Sequence, residues 1–404
     1  MDSVTEFIRN GEKGKQTGQI GLEVEHFLLN RQTGRPMEYD EIARLLEELA
    51  PLYCTSVYEQ GNRISLENHW TLITLEPGCQ LELSFRCTPD LKKIEEKYRQ
   101  AIAPIREYAD KKGYDIVYSG GLPTVAADQV RRIEKERYRL MEEWFKTSGT
   151  RGLEMMKATA AVHVSVDYAD EQDFVKKVRL ANILHPLLMF LSFHTPVYAG
   201  KKNEDVLLRD SIWQHTDPAR CRIIEDLFAP SFGYQSYADY VMNTPMILMH
   251  DEDDYISVGD QTGKQVAQRY GYSQDAVAHY LSMVFPDVRV KQFIEIRSAD
   301  SMPIEETMAY CAFLKGLFYQ PEIVEKYQSL CHRIEQIEQA KQNIRADRWQ
   351  AQIYQRPLRA LALELVQEAE KGLSDAERPL LERLEQRIKA CRFVGENHEA
   401  GERV

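Results

Sequence analysis

Four short runs, scattered over nearly the whole chain, alternate an apolar residue with an acidic residue or histidine: 21–27 (GLEVEHF), 75–84 (LEPGCQLELS), 161–167 (AVHVSVD) and 293–298 (FIEIRS). Side chains of a β-strand point to opposite faces in turn, so this spacing constrains the chain to build a sheet with one polar face. Glu23 and Glu25 share a face against Leu22 and Val24. His163, Ser165 and Asp167 share one against Val162, Val164 and Val166, and Glu295 shares one with Arg297. The Pro77-Gly78 turn bends the chain between Glu76 and Glu82, so both can face one pocket. If these strands are neighbours, their polar faces converge on a pocket dense in carboxylates. Like charges repel and buried unpaired carboxylates are costly, so such a cluster calls for cations. Magnesium is the natural candidate because it prefers oxygen ligands and brings nucleotide phosphates with it.

Each piece taken singly has a plainer reading. Glu23 and Glu25 fit the solvent face of an edge strand, His163 a satisfied core histidine, and Glu295–Arg297 a cross-face ion pair. Their joint recurrence on strands points to a site. The familiar alternatives are missing: there is no GxSxG, no HExxH and no GxGxxG after a strand. Residues 259–265 (GDQTGKQ) fall one residue short of a phosphate loop and carry Gln where Ser or Thr would hold magnesium, so a surface turn is expected there. Bound ATP would then be gripped through carboxylate-held metals.

Hydrophobic residues make up 43% of the 404 and charged residues 28%, the balance of a soluble globular chain. A net charge of −12 argues against a nucleic-acid or anionic-membrane surface as partner. Seven dispersed cysteines without a CxxC pair fit a reducing compartment. The first fifteen residues lack an apolar signal core, and 180–191 is interrupted by Asn182, His185 and Pro186 and too short to span a bilayer. A cytoplasmic protein with a buried helix there is expected.

Helical periodicity marks 40–49, 91–111, 134–145 and 171–193, and almost everything from 304 onward. Strands are expected near 65–66, 72–75, 80–85, 114–118, 158–168 and 291–297, with 195–260 reading as site-building loops. The expected fold is α+β, a curved, largely antiparallel sheet covered by helices. Residues 1–320 read as the catalytic unit, 321–394 as a helical segment packed on it, and 395–404 as a flexible tail.

In chain order, IGLEVEHF (20–27), ITLEPGCQLELS (73–84), ERYRLMEEWFKTSGTRGLEMMKATAAVHVSVDY (136–168), LLRDSIWQHTDPAR (207–220), FIEIRSAD (293–300) and PLRALALELVQEAEKGL (357–373) resemble the plant-type glutamate–cysteine ligase family, within the glutamine-synthetase-like carboxylate–amine ligases. The resemblance implies a glutamine-synthetase-like catalytic fold and ATP-dependent joining of the γ-carboxylate of L-glutamate to the amine of L-cysteine through a γ-glutamyl phosphate. It implies two or three Mg2+ ions held by Glu23, Glu25, Glu76, Glu82, His163 and Glu295, with Glu295 and Arg297 catalytic and Arg297 offsetting phosphoryl charge. Arg209 and Arg220 lie in its substrate-loop segment, Trp213 and Tyr198 are candidate pocket walls, and Arg137 belongs to an Arg-Tyr pair near the site. Surface ion pairs remain the plainer reading of Arg209 and Arg220, and core aromatics that of Trp213 and Tyr198. A monomer or homodimer is expected.

Departures from the pattern are Cys79 in place of a second glycine, His163 in place of glutamine, the divergent SADSMPIEET (298–307) and a C-terminal extension that reads as cut short after Val394. The last two bear on the acceptor. The same chemistry with another amine, a metal-dependent hydrolase and a non-catalytic scaffold are the competing readings.

Overall fold

A computed structural model describes residues 3–59, 61–251 and 254–396. Its strands include β1 (Ile20–Asn30), β2 (Thr55–Glu59), β3 (Asn62–Glu67), β4 (Thr71–Leu75), β5 (Leu81–Thr88), β6 (Tyr114–Val117), β7 (Ala161–Val166), two short pairing segments β8 (Val197–Tyr198) and β9 (Lys201–Lys202), then β10 (Pro245–Asp251), β11 (Asp254–Thr262), β12 (Val288–Val290) and β13 (Ile294–Asp300). Eight of these run β12-β13-β7-β1-β5-β4-β3-β2 in one sheet, and β6 pairs with the far end of β1. Neighbours are antiparallel throughout. The expected α+β architecture is what the chain adopts.

Alternation decides which face is covered. Leu22, Val24, Leu81, Leu83, Val162, Val164, Val166, Ile294 and Ile296 are buried in the main core. The helices Leu91–Lys112, Glu171–Leu191 and Ile304–Phe318 pack on strands of the sheet. The helix at 91–112 begins where the Asp90 carboxylate accepts from the amides of Lys92 and Lys93, and it stops at Gly113, whose φ of 77° suits glycine. The helix at 171–191 is buried almost all round in its second half, as a helix sandwiched between layers must be.

Two sequence expectations change. Residues 195–260 are not mainly loop: they hold the helices Leu208–Gln214 and Tyr234–Asn243 and the β10–β11 hairpin. Turn-rich composition hid them, while burial of Met246, Ile247, Leu248 and Met249 secures the hairpin. Residues 259–265 are not a surface turn but the end of β11 running into the helix Gly263–Tyr270. Gln265, which spoils the phosphate-loop pattern, completes a capping box with Thr262.

Tight geometry shapes the 76–80 turn. A Cβ on Gly78 would sit 2.6 Å from the Lys157 carbonyl oxygen, so that position has room for glycine alone. Cys79 takes a φ of 64°, the left-handed conformation that glycine tolerates best. Among the described residues no helix is long and apolar enough to cross a membrane. The tail expected at 395–404 lies outside the described residues from 397 on.

Candidate active site

Strand register brings the acidic residues together. Glu25 stands opposite Glu82 across β1–β5, and Glu82 opposite Thr74 across β5–β4. One step along, Glu23 stands between Ser84 on β5 and His163 on β7. Glu295 on β13 stands opposite Ser165 on β7 and Arg289 on β12. Directly opposed side chains share a face, so alternation along each strand puts these rows on one side of the sheet. Glu76 joins them from the turn after β4.

They open into a cavity of about 360 Å³ lined by Glu23, Glu25, Glu76, Glu82 and His163 on its acidic side. Arg209, Arg297, Arg289, Arg137, Lys135 and Lys291 supply cations, and Met141, Met155, Met156, Trp213 and Phe285 supply an apolar wall. Juxtaposed carboxylates and guanidiniums around one space form a charge-separated pocket, able to receive a polyanion together with cations.

The carboxylates are not alike. Burial, reinforced by the charge of Glu76, pushes Glu25 up to about 8, although it accepts from the Ala161 amide at 2.8 Å. Burial and the charges of Glu23, Glu76 and Glu25 hold Glu82 well above the carboxylate range, and burial raises Glu76 too. Thr74 donates to Glu82 at 2.6 Å. Glu295 behaves oppositely. Burial opposes its charge, but Arg289, Lys291 and Arg297 outweigh that and hold it well below the ordinary range. Arg289 Nε donates to it at 2.6 Å, Arg297 Nη1 at 3.0 Å and Lys291 Nζ at 3.3 Å.

His163 bears on the metal question. Its Nδ1 lies 3.2 Å from a Glu23 oxygen, and its buried Nε2 has no hydrogen-bond partner. Burial, with Arg297 nearby, brings the imidazole down to about 4; the hydrogen bond from His163 keeps Glu23 low against its burial. A neutral ring with one nitrogen fixed by a carboxylate and the other bare is the arrangement of a metal-ligating histidine. One ligand atom each from Glu23, His163 and Glu295 lie within 4.8 Å of one another. The donor set therefore fits a divalent cation, with surplus carboxylates at Glu25, Glu76 and Glu82.

The remaining candidates divide. Arg209 is buried along one cavity wall, where its Nη1 donates to the carbonyls of Arg297 (3.1 Å) and Ala299 (2.8 Å) and its guanidinium stands over Trp213. Arg137 reaches the cavity and donates to Ser282 at 3.2 Å. Arg220 and Tyr198 are not among the lining side chains. Arg220 is fully buried, donating to Asp217 at 2.7 Å and to the Met283 carbonyl at 2.6 Å beside Trp144 and Phe285. The Tyr198 hydroxyl donates to Glu154 at 2.5 Å and its ring covers Gly121. Lys135, Arg289 and Lys291 were not anticipated from sequence. Arg289 and Lys291 alternate with Val288 and Val290, a period that could have shown them.

Comparison with known proteins follows the same lines. The family model described as "Glutamate-cysteine ligase family 2" matches residues 19–394. A chloroplastic glutamate–cysteine ligase of Brassica juncea is 30% identical over 327 residues, 79% of this chain and 64% of that protein. The corresponding Arabidopsis thaliana protein is 30% identical over 79% of this chain and 63% of its own length. The chain thus spans slightly under two thirds of these relatives. Among solved structures, glutamate–cysteine ligase from Francisella tularensis in complex with AMP shares the fold, with a TM-score of 0.58 at 13% identity over 94% of this chain and 83% of that one.

Proposed function

The chain belongs to glutamate–cysteine ligase family 2, and we propose that it joins the γ-carboxylate of L-glutamate to the amine of L-cysteine at the expense of ATP. The observation that carries this reading is the single cavity in which Glu23, Glu25, Glu76, Glu82 and the unpartnered His163 Nε2 face Arg209 and Arg297. A carboxylate and an ammonium do not condense in water; the γ-carboxylate takes the terminal phosphoryl group of ATP, and the cysteine amine then displaces phosphate from the acyl phosphate. Magnesium ions at Glu23, Glu25, Glu76, Glu82 and His163 would supply charge neutralisation for the triphosphate. Glu295, the sixth residue of that set, has both oxygens engaged by Arg289, Lys291 and Arg297, so its part here is to hold Arg297 as well as to close the ligand group.

Arg297, whose buried Nε has no partner, faces the transferring phosphoryl group. Lys135 and Arg137 offer further positive charge to phosphate or substrate carboxylate, and Arg209 braces the wall from which Arg297 projects. Met141, Met155, Met156, Trp213 and Phe285 keep water from the acyl phosphate, which would otherwise hydrolyse. Residues 1–320 serve as the catalytic unit with 321–394 as its helical support, acting as a monomer or homodimer. The seven free thiols suit a reducing cytoplasm.

Purified protein with ATP, magnesium and glutamate should release ADP when cysteine is added, and mass spectrometry of parallel reactions with other amines identifies the acceptor. ADP release indifferent to glutamate, or ester hydrolysis without ATP, would overturn the reading.

A further inference from the structure

The strand that carries Glu295 and Arg297 is irregular at a telling place. On β13, Ile296 faces Val164 and Ala299 faces Val162, so Arg297 and Ser298 together oppose the single residue His163. Two residues against one is a β-bulge, a device that re-aims a side chain and releases backbone groups from the ladder. Backbone groups at the bulge are taken up by its neighbours. The Arg297 amide donates to the Asp287 carbonyl at 3.0 Å, and Arg209 collects the carbonyls of Arg297 and Ala299.

The Ser298 hydroxyl, fully buried behind the sheet, lies 2.7 Å from His185 Nδ1. His185 Nε2 lies 3.2 Å from the Asp287 carboxylate. That contact lacks hydrogen-bond geometry, so the ring is tied to the bulge through Nδ1 and Ser298, whose hydroxyl can donate or accept there. Asp287 thus holds the bulge through its carbonyl, while its carboxylate lies beside His185. Around His185 the helix Glu171–Leu191 buries Leu184, Leu187 and Leu188, where a polar ring needs partners to offset its lost hydration.

We infer that His185 is a positioning residue: acting through Ser298, it fixes the β13 bulge and so the direction in which Arg297 enters the cavity. His185 does not line the cavity, so it acts without touching substrate. The inference rests on the ligase reading for the role of Arg297. Its geometry is tested separately below.

The full-length chain is compared with His185→Phe, His185→Asn, Ser298→Ala and the Phe/Ala double variant. In His185→Phe the kcat for glutamate- and cysteine-dependent ADP release falls roughly 10- to 100-fold, the scale of a misplaced catalytic group. The KM for glutamate changes by less than about threefold, since uniform substrate binding is untouched. His185→Asn, whose side-chain amide takes the place of Nδ1, recovers most of the rate. Ser298→Ala matches His185→Phe, and the double variant is no worse than either, because both break one link. By hydrogen exchange, the peptide 293–300 opens faster in His185→Phe while the rest of the sheet is unchanged.

Parental kcat in His185→Phe, unchanged exchange at 293–300, additive losses in the double variant, or a loss that follows the folded fraction and is not recovered by Asn each overturn the inference. A parent protein that releases no ADP overturns the ligase reading instead, and the exchange measurement then decides the clamp alone.

Discussion

Glu25 and Glu82 face each other directly across β1 and β5. Burial raises both above the carboxylate range, so an arriving divalent ion must compete with protons at this pair. Magnesium titrated into weakly buffered protein at neutral pH should release protons, and Glu25→Gln should release fewer. Stability follows the same sign. Between the ordinary value of 4.5 and about 8 the folded state binds more protons at Glu25 than the unfolded state, so ion-free stability falls as pH rises through that window. Magnesium should therefore raise the melting temperature more at high pH than at low. Silent calorimetry on both counts would remove the metal site.

Glu295 holds three cations in a buried cluster. Replacing it with Gln leaves Arg289, Lys291 and Arg297 without their shared countercharge, at a cost of roughly 3–5 kcal/mol. Urea unfolding within about 1 kcal/mol of the parent would show that the cluster is solvated.

Arg220 separates packing from chemistry. Its replacement by Met leaves buried Asp217 without its cation and should destabilise the fold by about 3 kcal/mol or more. Activity per folded molecule should stay near that of the parent. Arg137→Met should do the reverse, keeping its melting temperature while the KM for a substrate or for ATP rises. Equal behaviour of the two variants would contradict their placement.

Acid stability should report on His26, which contacts the Leu81 carbonyl at 3.0 Å and the Tyr98 hydroxyl at 2.8 Å. Burial brings this ring down to about 4 from 6.5. The unfolded chain binds the extra proton in that interval, so stability is fully present above pH 6.5 and is lost as pH falls toward 4. The loss amounts to about 3 kcal/mol in all. The difference between parent and His26→Gln in denaturation at a series of pH values isolates it; a constant difference would contradict the shift.

Alternation along single strands was legible: it named Glu23, Glu25, Glu82, His163, Glu295 and Arg297, the Pro77-Gly78 turn added Glu76, and the fold brings all of them to one place. Sequence could not show which strands are neighbours, so Arg289 opposite Glu295 went unseen. Arg209 and Arg220 look alike in a turn-rich segment; their different fates depend on Asp217, Met283 and the β13 carbonyls, all brought near by tertiary contact. The bulge at Arg297 and Ser298 leaves no trace in the period of the sequence. Cys79 departs from the family's glycine, yet the turn keeps the left-handed backbone that glycine would favour.

Because β1 pairs with β5 on one side and β7 on the other, and β13 pairs in turn with β7, neighbours in the sheet come from remote stretches of chain. During synthesis the ribosome must deliver the first three of these strands long before the fourth. Until then β7 exposes an apolar, hydrogen-bond-hungry border, open to capture by another nascent chain. The organisation that gathers the acidic side chains thus leaves one border of the nascent sheet uncovered until β13 has been made.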